Sequence, residues 1–289
     1  MANGIIIVDK PAGWTSHDVV AKLRGALHEK RIGHGGTLDP MATGVLPVFV
    51  GRATRAVEFF EAADKAYETL LQLGTVTDTD DITGAVLEEK SVSVTEEALR
   101  ATLPRFLGQQ EQLPPMYSAI KVDGKKLYEL ARAGKTVERK TRTITIHALE
   151  LLGFDGKNVR LHVCCSKGTY IRTLCHDIGE ALGCGGTMAA LRRTQAGAYS
   201  LSDATPLEAI LFSEDPAALL RPVDSMFSEH PKVVIFGEQV RRCYNGNDVS
   251  CPESPNGTVR VYDENGTFLM LGRAKNGTIH TIKSFFEVR

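Results

Sequence analysis

The sequence has no hydrophobic run long enough to cross a membrane. Its longest fully aliphatic stretch near the start covers residues 5–8 and runs directly into Asp9 and Lys10. A membrane-spanning helix needs roughly 20 predominantly apolar residues. No segment fits a secretory signal peptide either. These absences predict a cytoplasmic protein that makes no membrane contact.

Patterns typical of metal binding are also missing. The six cysteines include no CxxC pair and no zinc-like spacing with histidine, and the eight histidines form no HExxH cluster. Residues 77–84 fail the calcium-loop spacing, because Ile82 stands where an oxygen ligand is needed. We therefore expect reduced, mostly structural cysteines, no metal, and chemistry that runs on side chains alone.

A net charge is nearly absent, since 34 Lys and Arg residues face 35 Asp and Glu residues. This balance at first argues against a nucleic-acid partner, because phosphate contacts usually leave a basic excess. The charges are unevenly placed, however: residues 121–142 hold eight basic and three acidic side chains, and residues 61–100 hold three and ten. Interleaved aromatics at Tyr117 and Tyr128 favour an RNA surface there about as strongly as a plain solvated face.

The marks of disorder are missing too. With 289 residues, 43% of them hydrophobic, the chain can bury a sizeable core and is typical of about two domains. A composition shift at 222–231, between Pro222 and Pro231, separates a mixed region from one with short strands and Asn-Gly turns. We place the domains at 1–228 and 229–289.

Hydrophobic periodicity and turn residues predict the main elements of the first domain. Pro47 suggests that its strand lies at a sheet edge or carries a bulge. The predicted strands are 5–8, 45–50, 66–73, 143–153 and 158–165. One predicted helix begins at about residue 16, and two others span about 95–106 and 170–183.

Residues 33–47 form a loop whose shape is set by its composition. Four glycines and two prolines in fifteen positions fix a backbone path and can present His34 and Asp39 to a ligand. Asp39 precedes Pro40, which pushes it towards an extended conformation. Taken alone, a single aspartate in such a loop more often makes a structural turn.

Several segments together resemble the TruB family of tRNA pseudouridine synthases. Residues 114–128 resemble the RNA-gripping insertion of that family, which we place at about 109–142, and the tail resembles a small PUA-type RNA-binding domain. The match runs from about residue 4 to 228 and is carried by residues 9–18 (DKPAGWTSHD), 33–47 (with GGTLDP), 65–67 (KAY), 77–84, 165–174 (CSKGTYIRTL) and 191–194 (LRRT).

The resemblance implies a fold and an activity. The fold is α/β (α+β), with a mixed, largely antiparallel sheet flanked by helices over 1–228 and a β-rich, PUA-like domain over 229–289. The activity is the isomerisation of uridine 55 in the T loop of tRNA to pseudouridine, with no cofactor or metal. The implied partner is the T arm of tRNA, and the enzyme is expected to act as a monomer without an obligatory protein partner.

By resemblance, Asp39 is the catalytic nucleophile and Arg172 forms an ion pair with it. A neighbouring cation would lower the pKa of Asp39 and favour the carboxylate. Tyr67 lies against the uracil face and helps to move the proton from C5. The residues implied in binding are His34, Tyr170 and Leu191 for the flipped nucleoside and Lys121, Lys125 and Lys126 for the RNA.

Two alternatives stay open from the sequence. In the first, the protein is an RNA-binding or RNA-remodelling module, and Asp39 is only structural. In the second, catalysis is retained but the target is a uridine in another RNA.

Overall fold

The computed structural model describes residues 2–122 and 124–286. Within these residues, no helix is both long and apolar enough to span a membrane. The helices are α1 (Ser16–Ala26), α2 (Val57–Glu61), α3 (Glu96–Thr102), α4 (Leu127–Arg132), α5 (Ile171–Ala181), α6 (Leu207–Leu211) and α7 (Glu238–Tyr244), and short 3-10 helices cover Gly51–Ala56, Leu103–Phe106, Leu201–Asp203, Pro216–Leu219 and Val223–Phe227.

The strands of the first region are β1 (Gly4–Lys10), β2 (Ile32–His34), β3 (Thr43–Val50), β4 (Lys65–Leu73), β5 (Thr75–Thr77), β6 (Val86–Glu89), β7 (Gly108–Gln112), β8 (Lys121–Val122), β9 (Lys125–Lys126), β10 (Arg142–Phe154), β11 (Asn158–Cys165), β12 (Gly186–Ala196), β13 (Tyr199–Ser200) and β14 (Thr205–Pro206). Those of the second are β15 (Lys232–Val234), β16 (Val249–Ser250), β17 (Gly257–Tyr262), β18 (Phe268–Lys275) and β19 (Thr278–Ser284).

A large mixed sheet forms the body of the first region. Its main path runs β14-β1-β3-β12-β4-β11-β10-β7, and β2 and β13 pair with β3 and β12. Within this sheet, only β1 with β14 and β3 with β12 pair in parallel among the described residues. The predicted mixed, largely antiparallel sheet is therefore confirmed.

Both faces of this sheet are buried. Alternate residues of β1 point to opposite faces, as the period of a strand requires. Ile6 and Val8 pack in one core with α1 and α5, whereas Ile5 and Ile7 pack in a second core with Phe49. Helices α1 and α5 both begin beside the loop around Asp39: Ser16 of α1 bonds to Leu38, and Arg172 of α5 pairs with Asp39.

Helix α1 begins where the sequence predicts. The hydroxyl of Thr15 accepts a hydrogen bond from the Asp18 backbone N–H, and the Asp18 carboxylate accepts one from the Thr15 backbone N–H. This capping box satisfies two N–H groups that the helix itself cannot. It also fixes the path between β1 and α1, on which the loop around Asp39 rests.

One expectation about strands is wrong, and one strand was not predicted. Strand β3 lies inside the sheet, between β1 and β12, rather than at an edge. Pro47 is tolerated because it lies between the residues of β3 that pair with β12 and those that pair with β2, and its carbonyl accepts from Gly35 instead. Strand β12 was not predicted, because its polar residues 192–195 obscure the alternation of a strand.

The C-terminal region is a β-rich domain, as expected. Its five strands are ordered β15-β17-β18-β19-β16 and enclose a separate core with α7. Leu271 and Phe285 of this domain pack with Phe227 in the second core of the large sheet. The Tyr262 hydroxyl donates to Asp224 at 2.6 Å across the same junction.

We expect Gly44→Ala to destabilise the first domain strongly. Gly44 has a φ of +102°, and a Cβ there would lie 2.2 Å from the carbonyl oxygen of Arg193 in β12. Strain and overlap together should lower the free energy of unfolding by roughly 3 kcal/mol or more. Denaturation followed by the fluorescence of Trp14, the single tryptophan, reports on this domain.

The matched control is Gly134→Ala. Gly134 also has a positive φ, of +69°, but nothing lies within 4 Å of its added Cβ. This variant should lose only about 1–2 kcal/mol, the strain of the left-handed conformation alone. Equal losses of unfolding free energy in the two variants would show that the overlap with the Arg193 carbonyl adds nothing to the backbone strain.

Candidate active site

A buried lysine at the end of β1 holds the loop that carries Asp39. Lys10 is fully buried, and its Nζ donates to the backbone carbonyls of Pro11 at 2.9 Å, Trp14 at 2.6 Å and Pro40 at 3.2 Å. Burial lowers the pKa of Lys10 to about 8, and the Asp39 carboxylate opposes this shift. The lysine is therefore still charged at neutral pH and ties the turn at Pro40 to the end of β1.

A second tie comes from helix α1. The hydroxyl of Ser16 accepts from the Leu38 N–H at 2.9 Å and donates to the Leu38 carbonyl at 3.2 Å. The Gly13 N–H also donates to the Pro40 carbonyl at 2.8 Å. Asp39 therefore lies between two residues whose backbones are fixed, which limits the positions open to its carboxylate.

Arg172, in the first turn of α5, forms a two-point ion pair with Asp39. Its Nε lies 3.0 Å from Asp39 Oδ2, and its Nη2 donates to Asp39 Oδ1 at 3.3 Å. The Arg172 side chain is 6% exposed, whereas that of Asp39 is 34% exposed. The guanidinium is thus buried behind a carboxylate that a substrate can still reach.

The remaining donors of Arg172 hold two further segments. Nη1 donates to the Thr79 carbonyl at 3.2 Å and lies 3.8 Å from Asp81 Oδ2, and Nη2 donates to the Tyr117 carbonyl at 2.8 Å. Asp81 is buried and accepts from the Thr83 backbone N–H at 2.9 Å. Asp81 thus orders its loop and also faces the same guanidinium.

Burial raises the pKa of Asp39, and Arg172 acts against this. Asp81, the second carboxylate near the guanidinium, raises it further. The lowering expected from Arg172 is present but is smaller than the effect of burial. Without Arg172, the loss of hydration would favour the neutral acid more strongly.

Tyr67, on β4, is buried beside a second arginine. Its strand position pairs directly with Arg193 of β12, so the two side chains lie on the same face of the sheet. Burial raises the pKa of the Tyr67 hydroxyl, and Arg193 opposes that shift. Arg193 is 1% exposed, and sequence reasoning did not single it out.

His34, at the end of β2, faces His17 edge-on, with ring centroids 5.3 Å apart. Its Nδ1 is buried and has no hydrogen-bond partner among the described residues. Burial lowers the pKa of His34 to about 4, helped by the charges of His17 and Arg193. The ring is therefore neutral across the physiological pH range.

Tyr170 and Leu191 lie on two different elements, at the start of α5 and on β12. Tyr170 caps α5, and Gln112 fixes its backbone by accepting from the Tyr170 N–H at 2.8 Å and donating to its carbonyl at 3.0 Å. Leu191, on β12, is 8% exposed and belongs to the first core.

The three lysines predicted to bind RNA lie in a separate hairpin. Lys121 pairs with Lys126 across β8 and β9, and Lys125 is exposed beside them. The Nζ of Lys126 lies 5.3 Å from the centroid of the Tyr128 ring, and Arg132 lies over the same ring at 5.5 Å. The segment that leads into this hairpin contacts the candidate site through the Tyr117 carbonyl, which accepts a hydrogen bond from Arg172.

The described residues contain no group of three or more His, Cys, Asp or Glu side chains placed as metal ligands. The six cysteines are all free thiols. The chemistry that the site offers is that of a reachable carboxylate, a paired guanidinium and a buried phenol.

Three family models together match most of the chain. Residues 24–171 match the N-terminal domain of TruB family pseudouridylate synthases. Residues 172–228 match the C-terminal domain of tRNA pseudouridylate synthase B, and residues 231–281 match a C-terminal domain of pseudouridine synthase II TruB.

Similar proteins and structures agree with the family models. The tRNA pseudouridine synthase B of Stutzerimonas stutzeri is 50% identical over 93% of this chain and 91% of its own, and that of Azoarcus sp. is 47% identical over 96% and 93%. A crystal structure of a Cbf5-Nop10-Gar1 complex matches with a TM-score of 0.74 and 29% identity over 99% of this chain and 86% of that one. The fold is that of a pseudouridine synthase. The chain belongs to the TruB family of these enzymes and is therefore an isomerase.

The low pKa of His34 predicts a pH-dependent stability. Unfolded histidine has a pKa near 6.5, so between about pH 6.5 and 4 the unfolded chain binds a proton that folded His34 does not. Acidification through this window therefore favours unfolding. The melting temperature of wild type should fall more between pH 7 and pH 5 than that of His34→Asn.

The control for this comparison is His28→Asn, an exposed position whose φ of +50° suits asparagine. It should keep the wild-type dependence of melting temperature on pH. If His34→Asn kept that dependence as well, the buried neutral ring would be the wrong source of the effect.

Proposed function

We propose that this protein converts uridine 55 in the T loop of tRNA to pseudouridine, with Asp39 as the nucleophile and with no metal or cofactor. The observation that carries the proposal is the two-point ion pair between Arg172 and a carboxylate that is still 34% exposed. The relatives named tRNA pseudouridine synthase B support the substrate class.

The reaction suits a site built from side chains alone. It breaks the bond between N1 and C1′, turns the uracil, and joins C5 to C1′, so no atom is lost and no electrons leave. Asp39 supplies an anion at the sugar or the adjacent ring atoms. Arg172 keeps that anion available despite its burial.

The target base has to leave a folded loop before it can react. Flipping costs a few kcal/mol of unstacking, which contacts with the extruded nucleoside must offset. His34, as a neutral ring, supports the flipped arrangement, and Tyr170 and Leu191 line the nucleoside pocket. Tyr67 holds the uracil face and takes part in moving the C5 proton.

The remaining surfaces grip the tRNA. Lys121, Lys125 and Lys126 on the hairpin of β8 and β9 bind phosphates of the T arm, within an insertion at about 109–142. The domain over 229–289 is a PUA-like RNA-binding module behind the catalytic domain over 1–228. The enzyme works in the cytoplasm as a monomer without an obligatory protein partner.

Replacing the nucleophile gives the most direct test of the proposal. Asp39→Asn should lower the release of tritium from tRNA labelled at C5 of uridine by about 1,000-fold or more, with chelator present. Its affinity for tRNA should stay close to that of wild type, because the amide keeps the shape of the carboxyl group. The comparison needs purified protein and tRNA only.

Each other outcome of this experiment has a clear meaning. Wild-type protein that binds tRNA but releases no tritium would favour an RNA-remodelling module. Release that is metal-free but unchanged in Asp39→Asn would remove the proposed nucleophile.

A second test concerns the RNA surface. Replacing both Lys125 and Lys126 by Gln should weaken tRNA binding and lower the slope of log affinity against log salt by about 2, one for each lost phosphate contact. The rate of a single turnover at saturating protein should be nearly unchanged. Binding is measured across a series of salt concentrations.

The control is Lys157→Gln, at the exposed turn between β10 and β11. This turn precedes β11 and lies about 23 Å along the strand from Cys165, the end of β11 that leads to Arg172. The salt slope of the control should equal that of wild type. A double variant with an unchanged slope would show that the hairpin does not contact phosphates.

A further inference from the structure

Arg193 is a buried cation that makes no ion pair with an acidic side chain of the described residues. Its side chain is among the largest that are fully buried, and it takes part in none of the ion pairs found within residues 2–122 and 124–286. Burying a charge costs several kcal/mol unless other groups compensate it. Its neighbour Arg192 is paired with Asp9 at 2.8 Å. The burial of Arg193 has no such compensation and needs another explanation.

Two of the compensating groups are backbone carbonyls of the loop around Asp39. Arg193 Nε donates to the Val45 carbonyl at 2.7 Å, and its Nη2 donates to the Gly36 carbonyl at 3.1 Å. These residues lie on either side of Asp39 in the chain. The carbonyls supply hydrogen bonds but no negative charge, so the guanidinium keeps its full charge in a buried place.

The third neighbour is the Tyr67 side chain. Strands β4 and β12 are antiparallel, and Arg193 stands directly opposite Tyr67 in their register. Directly opposed side chains lie on the same face of a sheet, with Cβ atoms about 5 Å apart. The phenol of Tyr67, unlike the two carbonyls, can become an anion beside the guanidinium.

We propose that Arg193 is a positioning residue that orients the Tyr67 oxygen towards the uracil and stabilises its ionised form while the C5 proton is removed. This inference rests on the proposed function, in which Tyr67 faces the base. Arg193 acts through Tyr67, and the loop carbonyls hold its guanidinium in place.

The proton balance of this step is complete without another reactant. Once C5 has joined C1′, the Tyr67 hydroxyl gives its proton to N1 of the uracil and becomes a phenolate. The phenolate then takes the proton from C5, and the electron pair of that C–H bond restores the C5–C6 double bond. Tyr67 ends as the neutral phenol it was at rest, and Arg193 faces the phenolate between the two transfers.

A double-mutant cycle tests the coupling. Arg193→Lys keeps a cation but loses the fork of donors, and it should lower the single-turnover rate about 10- to 100-fold. Tyr67→Phe removes the hydroxyl and should lower it about 100-fold or more. If Arg193 acts through that hydroxyl, Arg193→Lys should change the rate of Tyr67→Phe less than about 3-fold.

A second readout does not depend on how much of the variant is folded. With tRNA deuterated at C5 of uridine, the isotope effect on the single-turnover rate should rise in Arg193→Lys, because removal of that proton becomes slower than the other steps. A loss of loop structure alone would lower the rate without raising this ratio.

The matched control is Arg192→Lys, the adjacent residue of the same strand, which contacts Asp9 and Thr43 instead. Its effect should multiply with that of Tyr67→Phe, and its isotope effect should equal that of wild type. Multiplying effects and an unchanged isotope effect in Arg193→Lys would overturn the inference.

The two proposals fail in different ways. If wild type releases no tritium from labelled tRNA, or Asp39→Asn releases it at the wild-type rate, the proposed function is wrong. If wild type is active, Asp39→Asn is not, and Arg193→Lys behaves like Arg192→Lys, then only the role of Arg193 is wrong.

Discussion

The ion pair between Arg172 and Asp39 is the contact on which the rest of the site depends. The two residues are 133 positions apart in the chain. The same guanidinium also donates to the carbonyls of Thr79 and Tyr117, so one side chain joins four segments that have no local reason to meet. Since a buried guanidinium is costly without such partners, the four segments and the charge stabilise one another.

The two arginines at the centre of the molecule meet the same cost in different ways. Arg172 faces carboxylates, and its charge is used to keep one of them ionised in a place that opposes ionisation. Arg193 faces two backbone carbonyls and the Tyr67 side chain, and it is in none of the ion pairs among the described residues. The site thus holds one cation that is paired with carboxylates and one that is not.

Local patterns predicted those elements whose causes are local. Helix α1 follows from the capping residue Thr15 and a stripe of apolar positions, and the hairpin of β10 and β11 follows from alternation and a turn. Strand β12 escaped prediction because Arg192 and Arg193 look exposed in sequence, and their partners, Asp9 and the Val45 carbonyl, lie far away in the chain. For Asp39, the residues alone favoured a turn. The family resemblance implied a catalytic role and a pairing with Arg172, and the fold shows that pairing.

The carbonyl of Tyr117 belongs to the segment that leads into the lysine hairpin, yet it accepts a hydrogen bond from the guanidinium that faces Asp39. A hydrogen bond of 2.8 Å is largely lost when its atoms move apart by about an ångström. Any ligand that draws this segment away therefore also changes the electric field at the carboxylate. The position of the segment before the hairpin and the acidity of the Asp39 carboxyl group are thus coupled through one hydrogen bond.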